Sequence, residues 1–291
     1  MLATTGIAIA CIATLSWGLG DFLIQKSTRK LGDWETLLAT ASFGTVILIP
    51  FVWRTIPELF TDLPGLLILI GSALVLTVAA ILTFEALKRG KIAVVEPIWP
   101  LEIPAASILA FAVLGDHITG LQLGLIVALI VGLIMVSFRG HLFSWHFFAE
   151  KGIYVAAIGS ILMGFADFLL GWGSRMTDPV TANFVVNLIM TAVTLGYLLL
   201  YRRVHAGFRD IYHNRGLLLM MAVSDNVAWL AYAYAMTVIP IAIATGLSES
   251  SVIIGVLLGL FVNHERLERH QRFGLVIAIA AAVTLAFVTG A

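Results

Sequence analysis

The sequence predicts an all-α integral membrane protein with ten transmembrane helices, arranged as two five-helix halves in an inverted repeat. Three observations lead to this prediction: an apolar composition, ten apolar segments of spanning length, and a repeat between the halves. Of 291 residues, 60% are hydrophobic and 12% are charged, and the mean hydropathy is +1.02. Soluble domains carry about 25% charged residues, and a water-soluble domain of this size cannot bury so much apolar surface.

Ten apolar segments have the ~20 residues that a helix needs to cross a ~30 Å hydrocarbon core. Polar joins separate them, and the repeat described below assigns five to residues 1–147 and five to residues 148–291. The predicted spans are 4–26, 34–53, 64–87, 92–115, 119–138, 152–174, 179–201, 215–237, 241–262 and 271–289.

An internal repeat relates the two halves. Residues 17–23 recur as residues 163–169, with glycine, aspartate, phenylalanine and leucine in register, and Arg29 then matches Arg175. A weaker match relates 114–124 to 262–274 and needs a one-residue gap. The chain therefore reads as two copies of one five-helix unit.

Lysine and arginine are distributed unevenly over the joins. Together with the adjoining span ends, the joins after the odd-numbered spans carry 3, 3, 2, 4 and 3 basic residues, whereas the even-numbered joins carry only Arg54 and Arg175. By the positive-inside rule, the odd joins face the cytoplasm and both termini face away from it. Five spans per half invert the second half relative to the first, an arrangement that is common in secondary transporters. We expect a multi-pass protein of the cell membrane, most simply the cytoplasmic membrane of a prokaryote.

Acidic side chains lie inside several predicted spans, although a charge at this depth costs ~2.5–3.5 kcal/mol on insertion scales. Glu102, Asp225 and Glu249 lie within two to three turns of their span centres, with no Lys or Arg near them in the span. We predict that these three carboxyls bind substrate and carry protons. The alternative is a neutral acid that donates one interhelical hydrogen bond worth ~1 kcal/mol. For Asp21 and Asp167, the repeat favours a shared structural role.

Prolines interrupt the fourth predicted span at positions 97, 100 and 104. Each removes a backbone donor and frees a carbonyl one turn earlier. Within a membrane, broken backbone is tolerated only where protein or a water-lined cavity satisfies it. We therefore expect this segment to line a pathway, with a kinked packing helix as the alternative.

Aromatic and amide side chains complete the predicted site. Aromatic faces together with carboxylates favour organic cations through cation–π attraction and charge pairing, although Trp and Tyr are also common at membrane interfaces. The predicted substrate-binding residues are Trp17, Trp99, Glu102, Asn187, Asp225, Asn226, Trp229 and Glu249.

Several kinds of chemistry lack support in the sequence. The one cysteine excludes an intramolecular disulfide and a Cys-based metal cluster, and all seven histidines fall in joins or at span ends. No Lys or Arg lies at mid-span to bind phosphate or carboxylate substrates, and there is no P-loop. Zero net charge offers no basic surface for nucleic acid. We expect no cofactor, no bound metal and no nucleic-acid partner.

The chain resembles the drug/metabolite transporter superfamily, and within it the ten-helix EamA-type members. The resemblance covers nearly the whole chain and rests on Ser-Trp-Gly at 16–18, Glu-Ala-Leu-Lys at 85–88 and an acidic–Gln–Gly pattern ending each half. It implies alternating access by two inverted repeats around a central cavity, and export of amino acids or other metabolites. Two features depart from the family pattern: the termini are predicted to face outward, and acids within the membrane are unusually many.

These features predict a secondary active transporter that moves a small neutral or cationic metabolite, such as an amine, a quaternary ammonium compound or an amino acid. Proton coupling is expected from the unpaired carboxyls. The alternative is an amino-acid or metabolite exporter, or a facilitator, without proton coupling. A channel and an intramembrane enzyme are rivals from other classes, and the lack of mid-span histidine disfavours the enzyme. The expected partners are the substrate, protons and the lipid bilayer, and the oligomeric state stays open.

Overall fold

The computed structural model describes residues 2–89, 96–138, 151–201, 209, 211–262 and 267–290, and every regular element within these ranges is helical. A 3₁₀ segment (Glu96–Leu101) precedes the helix Glu102–Leu109, a π-helical segment (Ala110–Leu114) follows it, and one turn of α-helix (Ile56–Leu59) precedes the helix Leu63–Arg89. The boundary predicted between the halves, 147/148, lies outside the described residues. The helices are α1 (Leu2–Leu31), α2 (Asp33–Val52), α3 (Leu63–Arg89), α4 (Glu102–Leu109), α5 (Gly120–Ser137), α6 (Lys151–Met176), α7 (Pro179–Leu200), α8 (Arg215–Val238), α9 (Ile241–Glu249), α10 (Ser251–Val262) and α11 (Arg269–Gly290).

Eight helices in the described part of the chain are long and apolar enough to cross a membrane, so the chain is a multi-pass membrane protein. They are α1, α2, α3, α5, α6, α7, α8 and α11. Two shorter apolar segments, Ile98–Leu114 and Ile241–Leu257, lie where the fourth and ninth spans were predicted. The predicted set of ten therefore corresponds to eight full-length spans and two shorter segments.

The fourth predicted span is broken, as its prolines indicated. Pro100 lies inside the 3₁₀ segment, and Pro104 is the third residue of α4, a position whose N–H has no intrahelical partner in any case. After the π-helical segment, Gly115 ends the helix in the left-handed conformation, with φ 67°. Residues 92–95 of this predicted span lie outside the described residues.

The ninth predicted span is not one continuous helix, which corrects the sequence-based expectation. α9 ends at Glu249 and α10 begins at Ser251. At the junction, the Ser250 N–H donates to the Leu247 carbonyl three residues earlier, at 3.1 Å. The Ser250 hydroxyl donates to the Gly246 carbonyl at 3.2 Å. Serine side chains compete for backbone acceptors in this way and thereby disturb regular helices.

The long helices pack mainly across the two halves. α1 packs against α8 and α6 packs against α3, so the first span of each half contacts the third span of the other. α2 packs against α7, and α5 against α11, which pairs the second and the fifth spans with their own counterparts. At the α2–α7 contact, the hydroxyls of Thr45 and Thr191 lie 3.2 Å apart and the residues are 146 positions apart in sequence. These contacts are the ones that a two-fold relation between the halves requires.

The helices α5 and α11 run antiparallel and very close together. A Cβ added at Gly132 would lie 2.6 Å from the Ala278 nitrogen. Gln122, near the start of α5, accepts from the Thr119 N–H at 2.8 Å, and Gln271 accepts from the Glu268 N–H at 3.0 Å. The weaker repeat match in the sequence therefore corresponds to two glutamines with the same capping role.

Candidate substrate-binding cavity

A central cavity of about 150 Å³ lies between the two halves. In α1, α2 and α3, its lining residues fall in the half of each helix nearest the α1–α2 join and the end of α3, whereas in α6, α7 and α8 they fall mostly in the half nearest the α6–α7 and α8–α9 joins, so the cavity lies near mid-depth. We call the side with the α1–α2 join and the end of α3 the basic face, because the joins after α1 and α3 are rich in Lys and Arg. We call the opposite side, which carries the α4–α5, α6–α7 and α8–α9 joins, the Asp116 face.

Five carboxyl side chains line this cavity: Asp21, Glu102, Asp167, Asp225 and Glu249. Among the described residues of its wall there is no Lys, Arg or His. The carboxyls of Glu102, Asp167 and Glu249 are close enough to interact through their charges. In the part of the chain that the structure describes, no three His, Cys, Asp or Glu side chains are grouped to hold a metal ion. The cavity is therefore acidic, with carboxyls distributed over its wall.

Four of the five carboxyls form two pairs related by the repeat. Asp21 and Asp167 lie 146 residues apart (167 − 21), and Glu102 and Glu249 lie 147 apart (249 − 102). Both members of each pair reach the same cavity, from opposite halves. Asp225 differs, since the residue 146 positions before it (225 − 146 = 79) is a buried alanine. The wall thus combines symmetric carboxyls with one that the second half alone supplies.

Asp225 lies among three aromatic rings. On α8, Trp229 and Tyr232 follow it at positions i+4 and i+7, which share a helix face. Trp17 reaches the group from α1, and its ring lies 5.1 Å from that of Trp229 and 5.2 Å from that of Tyr232 in edge-to-face geometry. The Trp17 and Trp229 indoles lie beside the Asp225 carboxyl, close enough to interact with it. A buried carboxyl with aromatic walls is thereby held in place.

Amide side chains line the α7 side. Asn183 and Asn187 are one turn apart and buried, and both belong to the cavity wall. The Asn187 amide donates to the Asn183 carbonyl at 2.9 Å and to the Asn226 side-chain oxygen at 3.2 Å. Asn226 itself is not part of the wall. Its own amide donates to the carbonyls of Thr40 and Ala222 at 3.1 and 2.9 Å. Asn226 therefore ties α8 to α2 and α7, a role that sequence reasoning did not give it.

The structure brings together seven of the eight sequence-predicted binding residues, which are Trp17, Trp99, Glu102, Asn187, Asp225, Trp229 and Glu249. The indole N–H of Trp99 is buried with no hydrogen-bond partner among the described residues. Asp21, Asp167 and Tyr232 also line the cavity, although sequence reasoning gave the two aspartates a structural role and did not select the tyrosine. The repeat was the signal that could have found the aspartates, because equivalent positions face the same axis.

Comparisons with known proteins agree with this architecture. A family model described as the EamA-like transporter family matches residues 4–138 and again residues 150–287. A crystal structure of a protein with 17% sequence identity matches 97% of this chain and 95% of its own, with a TM-score of 0.68. At that identity the likeness concerns the fold alone. A search of curated proteins found no match.

Proposed function

Since this chain belongs to the EamA-like transporter family, we propose that it is a secondary active transporter that exchanges a small organic cation for protons across the cell membrane. The wider class that we propose is small neutral or cationic metabolites, including amino acids. Within it, amines and quaternary ammonium compounds have the strongest support.

The observation that carries this proposal is an acidic cavity whose described wall contains five carboxyls and no basic side chain. In a water-poor cavity, charge–charge energies are much larger than in bulk water. An anionic substrate would meet repulsion, because none of the Lys or Arg groups that clamp phosphates and carboxylates is present in the described wall. A cation would meet the Asp225 carboxyl and the faces of nearby aromatic rings.

The symmetry of the carboxyls suggests a division of labour. Asp21 with Asp167, and Glu102 with Glu249, are presented by both halves, so they would stay at the cavity when access changes from one face to the other. Proton-carrying groups need that property. Asp225, with Trp17 and Trp229, has no acidic counterpart and suits the substrate cation. Because all five carboxyls share one cavity, the charge of a cation at Asp225 would favour release of protons from the two pairs, which would couple the two movements.

Alternating access is the mechanism that this architecture supports best. We infer ten spans in a 5+5 inverted repeat, because the cross-half packing pairs exchange under a two-fold relation and both incomplete spans are the fourth of their half. Substrate sites between inverted repeats are typical of secondary carriers. The basic face is then cytoplasmic and both termini face outward, in the cytoplasmic membrane of a prokaryote.

The first test is a thermal-shift screen of the purified protein with tetramethylammonium, an alkylamine, leucine, glutamate and a nucleotide sugar. A ligand at 100 times its Kd adds ~2.7 kcal/mol to the folded state, which raises the melting temperature. We expect the two cations to stabilise the protein and Asp225→Asn to abolish their effect. Glu58→Gln, which removes an exposed acid outside the cavity, is the matched control. Stabilisation by the anions alone would overturn the cation assignment.

The second test separates proton coupling from facilitated transport. In proteoliposomes, an inside-acid pH gradient should drive uptake of the cation that stabilises the protein. Glu102→Gln and Glu249→Gln should abolish that drive while counterflow against unlabelled substrate persists. Uptake that ignores the gradient would support the facilitator alternative, and the absence of any counterflow would indicate a channel.

A further inference from the structure

The Asp116 face is closed by buried chain from the second half. Met236, Ile239 and Ile241 are at most 2% exposed, and α9 continues this buried segment towards the cavity. Packing is tight here, since a Cβ added at Gly171 would lie 2.8 Å from the Ile241 side chain and 2.9 Å from the Met236 sulfur. The cavity is therefore sealed from this face by the α8–α9 join.

A two-pronged ion pair holds this join. Nη1 and Nη2 of Arg175, at the end of α6, donate to the two oxygens of the Asp116 carboxylate at 2.6 and 2.9 Å. The Arg175 Nε–H donates to the Met236 carbonyl at 2.7 Å, and the Ile241 N–H donates to Asp116 at 3.0 Å. Partial burial favours the neutral acid, but these hydrogen bonds and the guanidinium charge outweigh it and lower the pKa of Asp116. The pair is therefore charged at neutral pH.

Among the described residues, the pair joins the two halves at the Asp116 face. Asp116 belongs to the first half, whereas Arg175 and the α8–α9 join belong to the second. The repeat counterpart of Arg175 is Arg29, at the basic face, and Arg29 is exposed.

We propose that Asp116 and Arg175 form the gate at the Asp116 face and that the transport cycle must separate them to open the cavity to that side. This inference rests on the proposed transport function. The gate residues touch no part of the cavity wall, so they act by positioning the α8–α9 join.

A hydrogen-bond chain connects the cavity to this gate. The Asp167 carboxyl lies beside the Tyr232 hydroxyl, which lies 2.6 Å from the Thr245 hydroxyl. The Thr245 hydroxyl donates to the Ile241 carbonyl at 2.9 Å. Ile241 is the residue whose N–H donates to Asp116. One backbone residue thus takes part in both the chain and the gate.

Cysteine accessibility tests the gate without any substrate. Cys11, the one cysteine of the chain, is replaced by serine, and Ala242→Cys introduces a thiol at a position 3% exposed beneath the gate. Loss of charge-assisted hydrogen bonds in Arg175→Ala or Asp116→Asn should raise the rate of maleimide labelling by about tenfold or more. Arg54→Gln, an exposed arginine on the same face, is the control and should leave the rate unchanged.

A second reporter excludes general loosening. Ala156→Cys, at a buried position elsewhere (1% exposed), should stay slow to label in every variant. Equal labelling of Ala242→Cys with and without the ion pair would overturn the gate. If labelling rises in these variants but the protein transports no cation, the gate is supported and the proposed transport function is contradicted.

Discussion

The contact between α5 and α11 allows a prediction whose size follows from the structure. A Cβ added at Gly132 would lie 2.6 Å from the Ala278 nitrogen and 2.9 Å from the Gly274 carbonyl oxygen. Both obstacles are backbone atoms, which cannot move aside as side chains do. Gly132→Ala therefore forces the two helices apart by several tenths of an ångström.

The cost can be bounded by a control on the same helix. Gly124 has no atom within 4 Å of the added Cβ, so Gly124→Ala gains only helix propensity, about 1 kcal/mol. Gly132→Ala gains the same propensity but overpacks the contact, which costs ~1–3 kcal/mol. A gap of about 0.5–1 Å forfeits a quarter to a half of the dispersion energy between the separated surfaces. The difference between the two variants isolates the packing cost.

We expect the thermal unfolding midpoint in detergent to fall in the order Gly124→Ala, wild type, Gly132→Ala. The two variants should differ by ~1–3 kcal/mol in unfolding free energy. Equal midpoints for both variants would mean that α5 and α11 do not approach as closely as the structure indicates.

Three further predictions concern single residues. The pKa of Asp116 is lowered in the folded state, so the ionised carboxylate stabilises the fold above pH ~4, and this contribution is lost as pH falls through the folded-state pKa. The difference in unfolding free energy between wild type and Asp116→Asn, measured by chemical unfolding, should therefore shrink from pH 6 to pH 3. Asn226→Ala leaves the Asn187 amide without one acceptor and should cost ~1–3 kcal/mol of stability, while the thermal shift produced by tetramethylammonium stays unchanged; a lost shift with normal stability would instead make Asn226 a ligand. Gly32 has φ 109° and an added Cβ would lie 2.6 Å from the Glu35 carboxylate, so Gly32→Ala should lower the unfolding midpoint by a backbone strain of ~1 kcal/mol or more; an unchanged midpoint would contradict that strain.

Much of the fold could be predicted because the hydropathy of a segment indicates directly whether that segment favours lipid over water. The spans were located, but α1 continues to Leu31 rather than ending at residue 26, since Lys and Arg can extend a helix into water. A hydropathy window reports where the chain leaves lipid and does not report where the helix ends. The break at Ser250 was also missed, because two apolar flanks of correct total length look like one span.

The cavity was partly predictable for a different reason. Carboxyls at mid-span must find a polar environment, and this argument selected Glu102, Asp225 and Glu249. All three line the cavity, and their roles in substrate binding and proton coupling stay predictions. Asp21 and Asp167 were given less weight because Lys26 and Arg29 lie near Asp21 in sequence, and sequence distance does not reveal which way a helix face points.

The Asp116–Arg175 pair could not have been predicted from the sequence. The two residues are 59 positions apart and meet only because α4 and α6 end at the same face. In the sequence, Arg175 counted as one of two basic residues in the even-numbered joins and as the repeat match of Arg29, and neither observation pointed to Asp116. Pairing between loops depends on tertiary packing, which composition and periodicity do not encode.

The packing of helices of one half against helices of the other has a consequence for how the protein is made. α1 and α3 are synthesised before α6 and α8, the helices against which they pack. Until α6 and α8 are inserted, Asp21 and Glu102 of the nascent first half lack both their repeat counterparts and a closed cavity around them. The helices of the first half must therefore remain in the bilayer without their packing partners until the second half is inserted. Two halves produced as separate polypeptides should accumulate only when both are synthesised in the same cell.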